Sequence, residues 1–399
     1  MDIYEELGVR TLINARGYAT LAGGNRLPPE VLEAMRQAAG AFVRIEDLQR
    51  AASRVIAEIT GAEAGYVTCG AAAAVALGTA ACMTGADPVK MNRLPETTGM
   101  KHEVIIQRSH RNPYDHAVRA VGAKLVEIGF VDRIFPYELA AAITPQTAAV
   151  FVDAALPGYA LPLEQVIDIA HAHEVPVIVD AAAELPPPEN LRRFIALGAD
   201  LVAFSGGKAL RGPQASGFLC GRQDLIDAVA LQNQDMDVIP ETWSQRREVA
   251  AGLLIGPPHH GIGRTMKVGK EEIVGLITAL KLYEKRDHAA EKLAQQRIVQ
   301  GWVERLGRLR GLTVEAGMDH RGVPMAHLTL DVFLLGMTAV DVVNQLAEGE
   351  PMILVRDTYA PQGRISLDPQ CLEGEEADRL ASRLEEILGG TARRTGSPA

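Results

Sequence analysis

Five short runs rich in Val, Ile and Phe recur at 104–107, 124–128, 149–153, 175–180 and 201–204. Between them lie stretches with helical spacing. Apolar residues over 46–59 follow a helical period and stop at Thr60-Gly61, where a glycine suits a helix C-terminus. A second helix is expected over 163–173, directly after Pro162. Strands that are apolar along their whole length are buried on both faces, the pattern of a mostly parallel sheet covered by helices. After Trp243 the texture changes. A long amphipathic helix is expected from 270–286 onward past Trp302, strands over 327–332 and 364–367, and a charged helix over 375–388. The chain therefore reads as α/β. We expect an N-terminal segment 1–50, a large domain 51–245 with a mostly parallel sheet, a smaller α+β C-terminal domain 246–390 and a flexible tail 391–399.

Composition removes several classes of function. The chain has 399 residues, of which 47% are hydrophobic and 23% charged, enough to bury a large core without a disulfide or metal staple. Fifty acidic against forty basic side chains give a net charge of −10, which disfavours nucleic acid and anionic membranes as partners. The start, Met1-Asp2-Ile3-Tyr4-Glu5-Glu6, has no basic region and no apolar run, so no signal peptide is expected. The longest apolar stretch, 71–78 with small residues as far as Met83, is too short to span a bilayer. Cys69, Cys82, Cys220 and Cys371 are far apart and form no C-x-x-C pair, so neither a metal site nor a disulfide framework is expected. His171 and His173 stand two apart on a helix and cannot chelate one metal; His259-His260 follow two prolines and read as a loop. A cytoplasmic protein acting on a small molecule fits these observations.

The chemistry is carried first by Ser205-Gly206-Gly207-Lys208, at the end of a buried strand, where ligands of open α/β sheets bind. A phosphate-binding P-loop would need glycine at 202 and Ser or Thr at 209, where Val202 and Ala209 stand. A Ser-x-x-Lys acyl-enzyme would need companion S-D-N and K-T-G motifs, and neither occurs. A third possibility is a lysine forming a Schiff base with pyridoxal phosphate, with the neighbouring serine holding the phosphate. A surface lysine in a glycine turn is the plain alternative.

Two further features accompany that motif. Val175-Pro176-Val177-Ile178-Val179-Asp180 is an apolar strand ending in one carboxylate, which a buried site tolerates only beside a positive partner. A protonated pyridine nitrogen would be such a partner. Asp180 precedes Lys208 by 28 residues, room for one helix and one strand to return to the same sheet edge. Helix N-capping is the alternative role for Asp180. Val67-Thr68-Cys69-Gly70 then runs into Ala71-Ala72-Ala73-Ala74, a strand leading through glycine into a helix start without side-chain bulk, where free N–H groups can receive a phosphate.

Taken with Leu12-Ile13-Asn14-Ala15-Arg16-Gly17, His110-Arg111-Asn112-Pro113-Tyr114-Asp115-His116, Lys208-Ala209-Leu210-Arg211-Gly212-Pro213-Gln214 and Gly263-Arg264-Thr265-Met266-Lys267, the chain resembles the fold-type I pyridoxal phosphate enzymes. The likeness is to the group related to selenocysteine synthase that includes D-glucosaminate-6-phosphate ammonia-lyase, and within it to the sugar amino acid lyase most of all. It spans nearly the whole sequence and implies an aspartate aminotransferase-like large domain. It implies Lys208 as the Schiff-base lysine, Asp180 as the partner of the pyridine nitrogen, and Ser205, Gly70 and Ala71 as the phosphate site. His110 is implied as the group covering the ring, with Tyr114 in reserve. A homodimer or higher homo-oligomer is implied, with Thr265 reaching a partner's cofactor. Selenocysteine synthase carries an extra N-terminal domain for its transfer RNA; this chain is expected to lack one and to bind no nucleic acid.

The resemblance implies α,β-elimination of a 2-amino-3-hydroxy acid, such as an amino sugar acid, to a 2-oxo acid and ammonia. Racemase, aldolase or aminotransferase chemistry could use the same lysine, and a non-catalytic sensor that binds the cofactor is the reading from a different class. An acidic amino acid substrate needs anion donors. Arg16, Arg264, Lys267, Arg356 and Arg364 are available, each with a solvated surface charge as the alternative, and Asn14 joins the expected substrate set. Arg356 is favoured for the α-carboxylate, because it follows the apolar stretch 351–355, with Asp357 as the structural competitor.

Overall fold

The computed structural model describes residues 2–155 and 158–392. The chain divides into two compact units, one from Leu27 to Lys285, the other formed by the start of the chain up to Arg26 together with everything from Arg286 on. These limits differ from the expected 1–50, 51–245 and 246–390, and packing explains why. Strand β1 (Leu12–Ala15) pairs in parallel with Met352–Val355, so the N-terminal residues belong to the smaller unit. The helix Lys270–Lys285 packs against Pro29–Ala39 and Ile45–Thr60, which extends the larger unit in both directions. The tail expected over 391–399 starts inside the last helix, which reaches Ala392; residues 393–399 lie outside the described residues.

The larger unit is built on seven strands: β2 (Ala64–Thr68), β3 (Glu103–Gln107), β4 (Lys124–Ile128), β5 (Thr147–Asp153), β6 (Val177–Asp180), β7 (Leu201–Ser205) and β8 (Gly217–Gly221). Their order is β2-β8-β7-β6-β5-β3-β4. All neighbours are parallel except at β8, which runs antiparallel to both β2 and β7. Because β8 is reversed between two strands of like direction, β2 and β7 end at the same edge as β3, β5 and β6. The sheet is mostly parallel, as expected. β8 is a run of three apolar residues between glycines, too short for its periodicity to declare it.

The larger unit's helices are α1 (Pro29–Ala39), α2 (Ile45–Thr60), α3 (Ala71–Thr84), α4 (Leu163–Ala172), α5 (Gln223–Asn233) and α6 (Lys270–Lys285), besides shorter ones. α2 buries Gln49, Ala52, Ile56 and Ile59 on one face and ends where Gly61 takes a left-handed conformation (φ +74°). α3 is buried almost all round, because its alanines and Gly78 let it lie close against β7 and β8.

In the smaller unit, β9 (Leu312–Met318), β10 (Pro324–Leu330) and β12 (Arg364–Leu367) form an antiparallel sheet ordered β12-β10-β9, and β1 pairs with β11 (Met352–Val355). The helices α7 (His288–Leu306), α8 (Ala339–Glu348) and α9 (Glu376–Ala392) share with these strands a core that includes Trp302, Leu306, Leu328, Val342 and Leu384. The single helix expected from 270 past Trp302 is two. It breaks where the Asp287 side chain accepts from the Ala290 N–H (2.9 Å) and caps α7 anew. The strand expected over 327–332 starts earlier and stops at Leu330, since Asp331 accepts from the N–H groups of Phe333 and Leu334 and opens a helical turn. Among the described residues, no helix is long and apolar enough to cross a membrane.

Gly65 on β2 is where α2 meets the sheet. A Cβ there would lie 2.3 Å from Ile56 Cγ2 and 2.7 Å from Ile56 Cβ. We expect Gly65→Ala to cost about 1–3 kcal/mol, the usual result of overpacking. Urea unfolding followed by fluorescence should show a lower midpoint at unchanged slope; an unchanged midpoint would mean that α2 does not press on β2.

Candidate active site

The strand ends of the larger unit collect the expected residues on one edge. Across β5, β6 and β7 the residues Asp153, Asp180 and Ala203 are register partners. Two positions further along β7, Ser205 pairs with Gly217 of β8, and Gly217 pairs in turn with Thr68 at the end of β2. Paired residues in adjacent strands project to the same face, so Asp153 and Asp180 stand side by side.

Lys208 lies in the turn after β7. The turn is closed by bonds from Gly206 N–H to Ser216 O and from Gly212 N–H to Gly206 O, both 2.9 Å. A Cβ on Gly206 would sit 2.2 Å from Ser216 Oγ, and one on Gly207 would sit 2.8 Å from Gln214 Cα. Only glycine fits both positions, so Ser-Gly-Gly-Lys is a folding requirement before it is a chemical one.

Gly217 plays the same part at the helix start. A Cβ there would lie 2.6 Å from Gly70 C and 2.7 Å from Ala71 N, so its absence is what lets the start of α3 approach β8. Gly70 at the N-cap has φ +124°, outside the usual range of side-chain-bearing residues, and no side chain caps the helix. The first N–H groups of α3 thus lack the usual side-chain acceptor and carry the positive end of a 14-residue helix dipole. The arrangement is that of an anion site beside Ser205.

Burial raises the Asp180 carboxyl to about 6, the charges of Asp153 and Glu184 add to the rise, and the Ala182 N–H bond (3.0 Å) and the charge of Lys208 oppose it. Asp180 is half-buried. The N-cap alternative fails, because Asp180 closes a single turn rather than a helix. His110 is only 2% exposed, burial lowers its pKa to about 4, and its Nδ1 has no hydrogen-bond partner among the described residues. It is a neutral imidazole in the turn after β3.

The remaining expected residues are elsewhere. Tyr114 is 75% exposed, although its N–H is held by Asn112 Oδ1 (2.7 Å). Arg264 donates to Asp235 (3.3 Å), and the Thr265 hydroxyl donates to Ile262 O (2.9 Å), both within a turn against α5. Asp235, Asp237 and His260 come within 4.8 Å of one another at the surface, where Arg264 already supplies a cation. Arg356, Arg16 and Asn14 belong to the smaller unit. There the expected competitor of Arg356 is corrected: Asp357 pairs with Arg16 (2.7 Å), while Arg356 pairs with Asp368, which is 0% exposed, and donates to Arg16 O (3.1 Å). Asn14 bonds Gly17 O and the Arg16 N–H, both at 3.0 Å, fixing the turn that carries Arg16. Sequence reasoning passed over Gly217, Asp153 and Asn112. The glycines around β8 and the carboxylate ending the 149–153 run were visible signals.

The family model for L-seryl-tRNA selenium transferase matches residues 29–237. D-glucosaminate-6-phosphate ammonia lyase of Salmonella typhimurium is 33% identical, over 97% of this chain and 98% of its own. The 5'-C-glycyluridine monooxygenase-decarboxylase of a Streptomyces species is 34% identical, over 96% and 92%. A solved structure of D-glucosaminate-6-phosphate ammonia-lyase superposes with a TM-score of 0.81 at 32% identity, covering 98% of this chain and 99% of that one. The fold and these likenesses therefore define a fold-type I pyridoxal phosphate enzyme. The chain belongs to the L-seryl-tRNA selenium transferase family, and the likenesses support an ammonia-lyase within it. The edge residues fit the cofactor: a helix start open to a phosphate, a lysine in a tight turn, and a desolvated carboxyl suited to a protonated ring nitrogen.

Asp180 makes a testable mark on stability. Its folded pKa of about 6 lies above the unfolded value near 3.8, so folding favours the protonated carboxyl. The cofactor-free protein loses that advantage as pH rises from about 4 to about 6 and lacks it above, a change of the order of 2–3 kcal/mol. Asp180→Asn carries no such titration. The variant's stability relative to the native chain should therefore rise over the same interval and level off by neutral pH. Denaturant unfolding of both apo proteins at several pH values checks this; parallel curves would show that Asp180 is not desolvated.

Proposed function

We propose that the chain is a pyridoxal phosphate-dependent ammonia-lyase that converts a 2-amino-3-hydroxy acid of the amino sugar acid class, such as D-glucosaminate or its 6-phosphate, to the 2-oxo acid and ammonia. The observation that carries this reading is the single sheet edge where Lys208, Asp180, Ser205 and the uncapped start of α3 meet. When bound, the cofactor supplies an electron-withdrawing ring that makes the substrate's Cα–H acidic. Ser205 and the N–H groups of Gly70 and Ala71 hold its phosphate. Asp180 keeps the ring nitrogen protonated; the positive charge there stabilises the carboxylate that burial otherwise penalises. Neutral His110 covers the ring without adding a competing charge. The Lys208 amine would serve as the base for the substrate's Cα proton; the β-hydroxyl would leave as water, and hydrolysis of the resulting enamine would give the 2-oxo acid and ammonia. Arg356, its guanidinium held by Asp368, would receive the α-carboxylate; Arg16, Asn14, Arg264 and Tyr114 are the further substrate residues of this reading, and Thr265 would reach the cofactor of a partner subunit.

Reduction of the holoenzyme with borohydride followed by peptide mapping should label Lys208, and Lys208→Ala should abolish both the label and ammonia release. A label on Lys267 or Lys270 would remove Lys208 from the site. A screen of amino sugar acids and 2-amino-3-hydroxy acids, with and without phosphate, should give ammonia and 2-oxo acid in equal amounts. The relative of comparable identity that is a monooxygenase-decarboxylase makes oxidative decarboxylation the second reading. Oxygen uptake with carbon dioxide release, and no ammonia from hydroxy amino acids, would favour it.

No disulfide joins Cys69, Cys82, Cys220 and Cys371 to one another, in keeping with a reducing cytoplasm. Val238, Ile239, Leu253 and Ile255 are exposed in the segment leading to Thr265, in keeping with a homodimer or higher homo-oligomer. Light scattering of the holoenzyme should give at least twice the mass of one chain, and a fully active monomer would refute the assembly.

A further inference from the structure

Asp153 ends β5 as the register partner of Asp180 and is only 8% exposed. A buried carboxylate beside another is costly unless it is held by donors. One donor is local: the Ala155 N–H bonds Asp153 Oδ1 (2.9 Å). Another comes from a distant part of the chain. Asn112 Nδ2, in the turn after β3, donates to Asp153 Oδ2. The same Asn112 organises that turn, since its Oδ1 accepts from the Tyr114 N–H (2.7 Å) and its backbone oxygen accepts from the Asp115 N–H (3.2 Å). His110 stands two residues earlier, with Asn112 Nδ2 also within 3.4 Å of its carbonyl oxygen. One amide thus ties the His110 turn to the strand that ends next to Asp180.

We propose that Asp153 is a positioning residue which, through Asn112, latches the turn carrying His110 onto the edge where Asp180 stands. The inference rests on the reading of Asp180 and His110 as cofactor residues. The turn is already tied to β4, where Glu127 accepts from Arg108 and Arg111, and the charge-assisted hydrogen bond to Asp153 adds an anchor on β5, which narrows where the imidazole can lie. Asp153 has a second effect through proximity. The charged groups facing Asp180 are Asp153 from β5, Glu184 from the turn after β6 and Lys208 from the turn after β7. The charge of Asp153 opposes ionisation of Asp180, so a cation at the ring position meets two carboxylates rather than one.

The latch can be tested by exchanging its ends. Asn112→Asp sets two carboxylates against each other, Asp153→Asn keeps an acceptor without the charge, and the double variant Asn112→Asp/Asp153→Asn restores donor and acceptor in reversed positions. Hydrogen exchange over residues 108–116 of the holoenzyme reads the turn directly. Asn112→Asp should exchange about tenfold faster or more, the usual scale for losing one hydrogen bond to a charged group, and the double variant should recover most of the protection. Should Asn112→Asp not fold, Asn112→Ala in the same measurement decides. Pyridoxal phosphate affinity of the apo protein, measured against pH by equilibrium dialysis, reads the second effect: its break near 6 should move to lower pH in Asp153→Asn, where a like charge has been removed. Unchanged exchange in the Asn112 variants, or no recovery in the double variant, overturns the latch; an unmoved break overturns the charge coupling. A borohydride label absent from Lys208 in the unmodified enzyme would instead overturn the cofactor assignment, so the two failures are distinct.

Discussion

Desolvation of one carboxylate organises this protein. Asp180 ends a strand whose preceding residues are fully apolar and buried on both faces, so its charge is pushed out of the core to the one edge where a positive group can meet it. The charges around it are set by the neighbouring strand ends and turns. Lys208 reaches it electrostatically and Asp153 stands beside it, while His110, in the turn after β3, is a neutral imidazole. The sheet keeps these groups in place because each is attached to a strand end, and strand ends in a parallel sheet move little relative to one another.

Close backbone approach is the second constraint, and glycine supplies it. Gly206 and Gly207 let the lysine turn fold against the Gln214–Ser216 segment, and Gly217 lets the start of α3 come down beside β8. A side chain at any of the three would separate parts that must touch for an anion site, a lysine and a carboxylate to share one edge. The alanines of α3 extend the same logic along the helix, since a bulkier helix could not lie so near the sheet.

The smaller unit is held by a different kind of bond. β1 pairs with β11 across more than 300 residues of sequence, and the two arginines that follow these strands are each tied to an aspartate, Arg16 to Asp357 and Arg356 to Asp368. The pairing of Arg356 with a fully buried Asp368 gives that side chain a structural duty as well as a place in the proposed substrate set. It also shows why a neighbouring aspartate in sequence is a poor guide to partnership: Asp357 follows Arg356 directly, yet it is Arg16, brought alongside by the β1–β11 ladder, that Asp357 meets.

The sequence by itself determined the alternation of apolar strands and helices, the strand-end position of Asp180, the glycine turn that carries Lys208, and the glycine-alanine start of α3, because each depends on residues within one short window. Periodicity, a terminal carboxylate and a glycine turn are local properties. Tertiary structure alone decided the reversed strand β8, the break at Asp287, the assignment of the N-terminal residues to the smaller unit and the contact of Asn112 with Asp153. Each of these depends on which distant segment lies alongside. β8 is ordered by pairing on both edges rather than by its own pattern, and β1 is a strand because β11 is there to receive it. Asn112 and Asp153 are brought together only when β3 and β5 pair, since a hydrogen bond across 41 residues of sequence leaves no local trace.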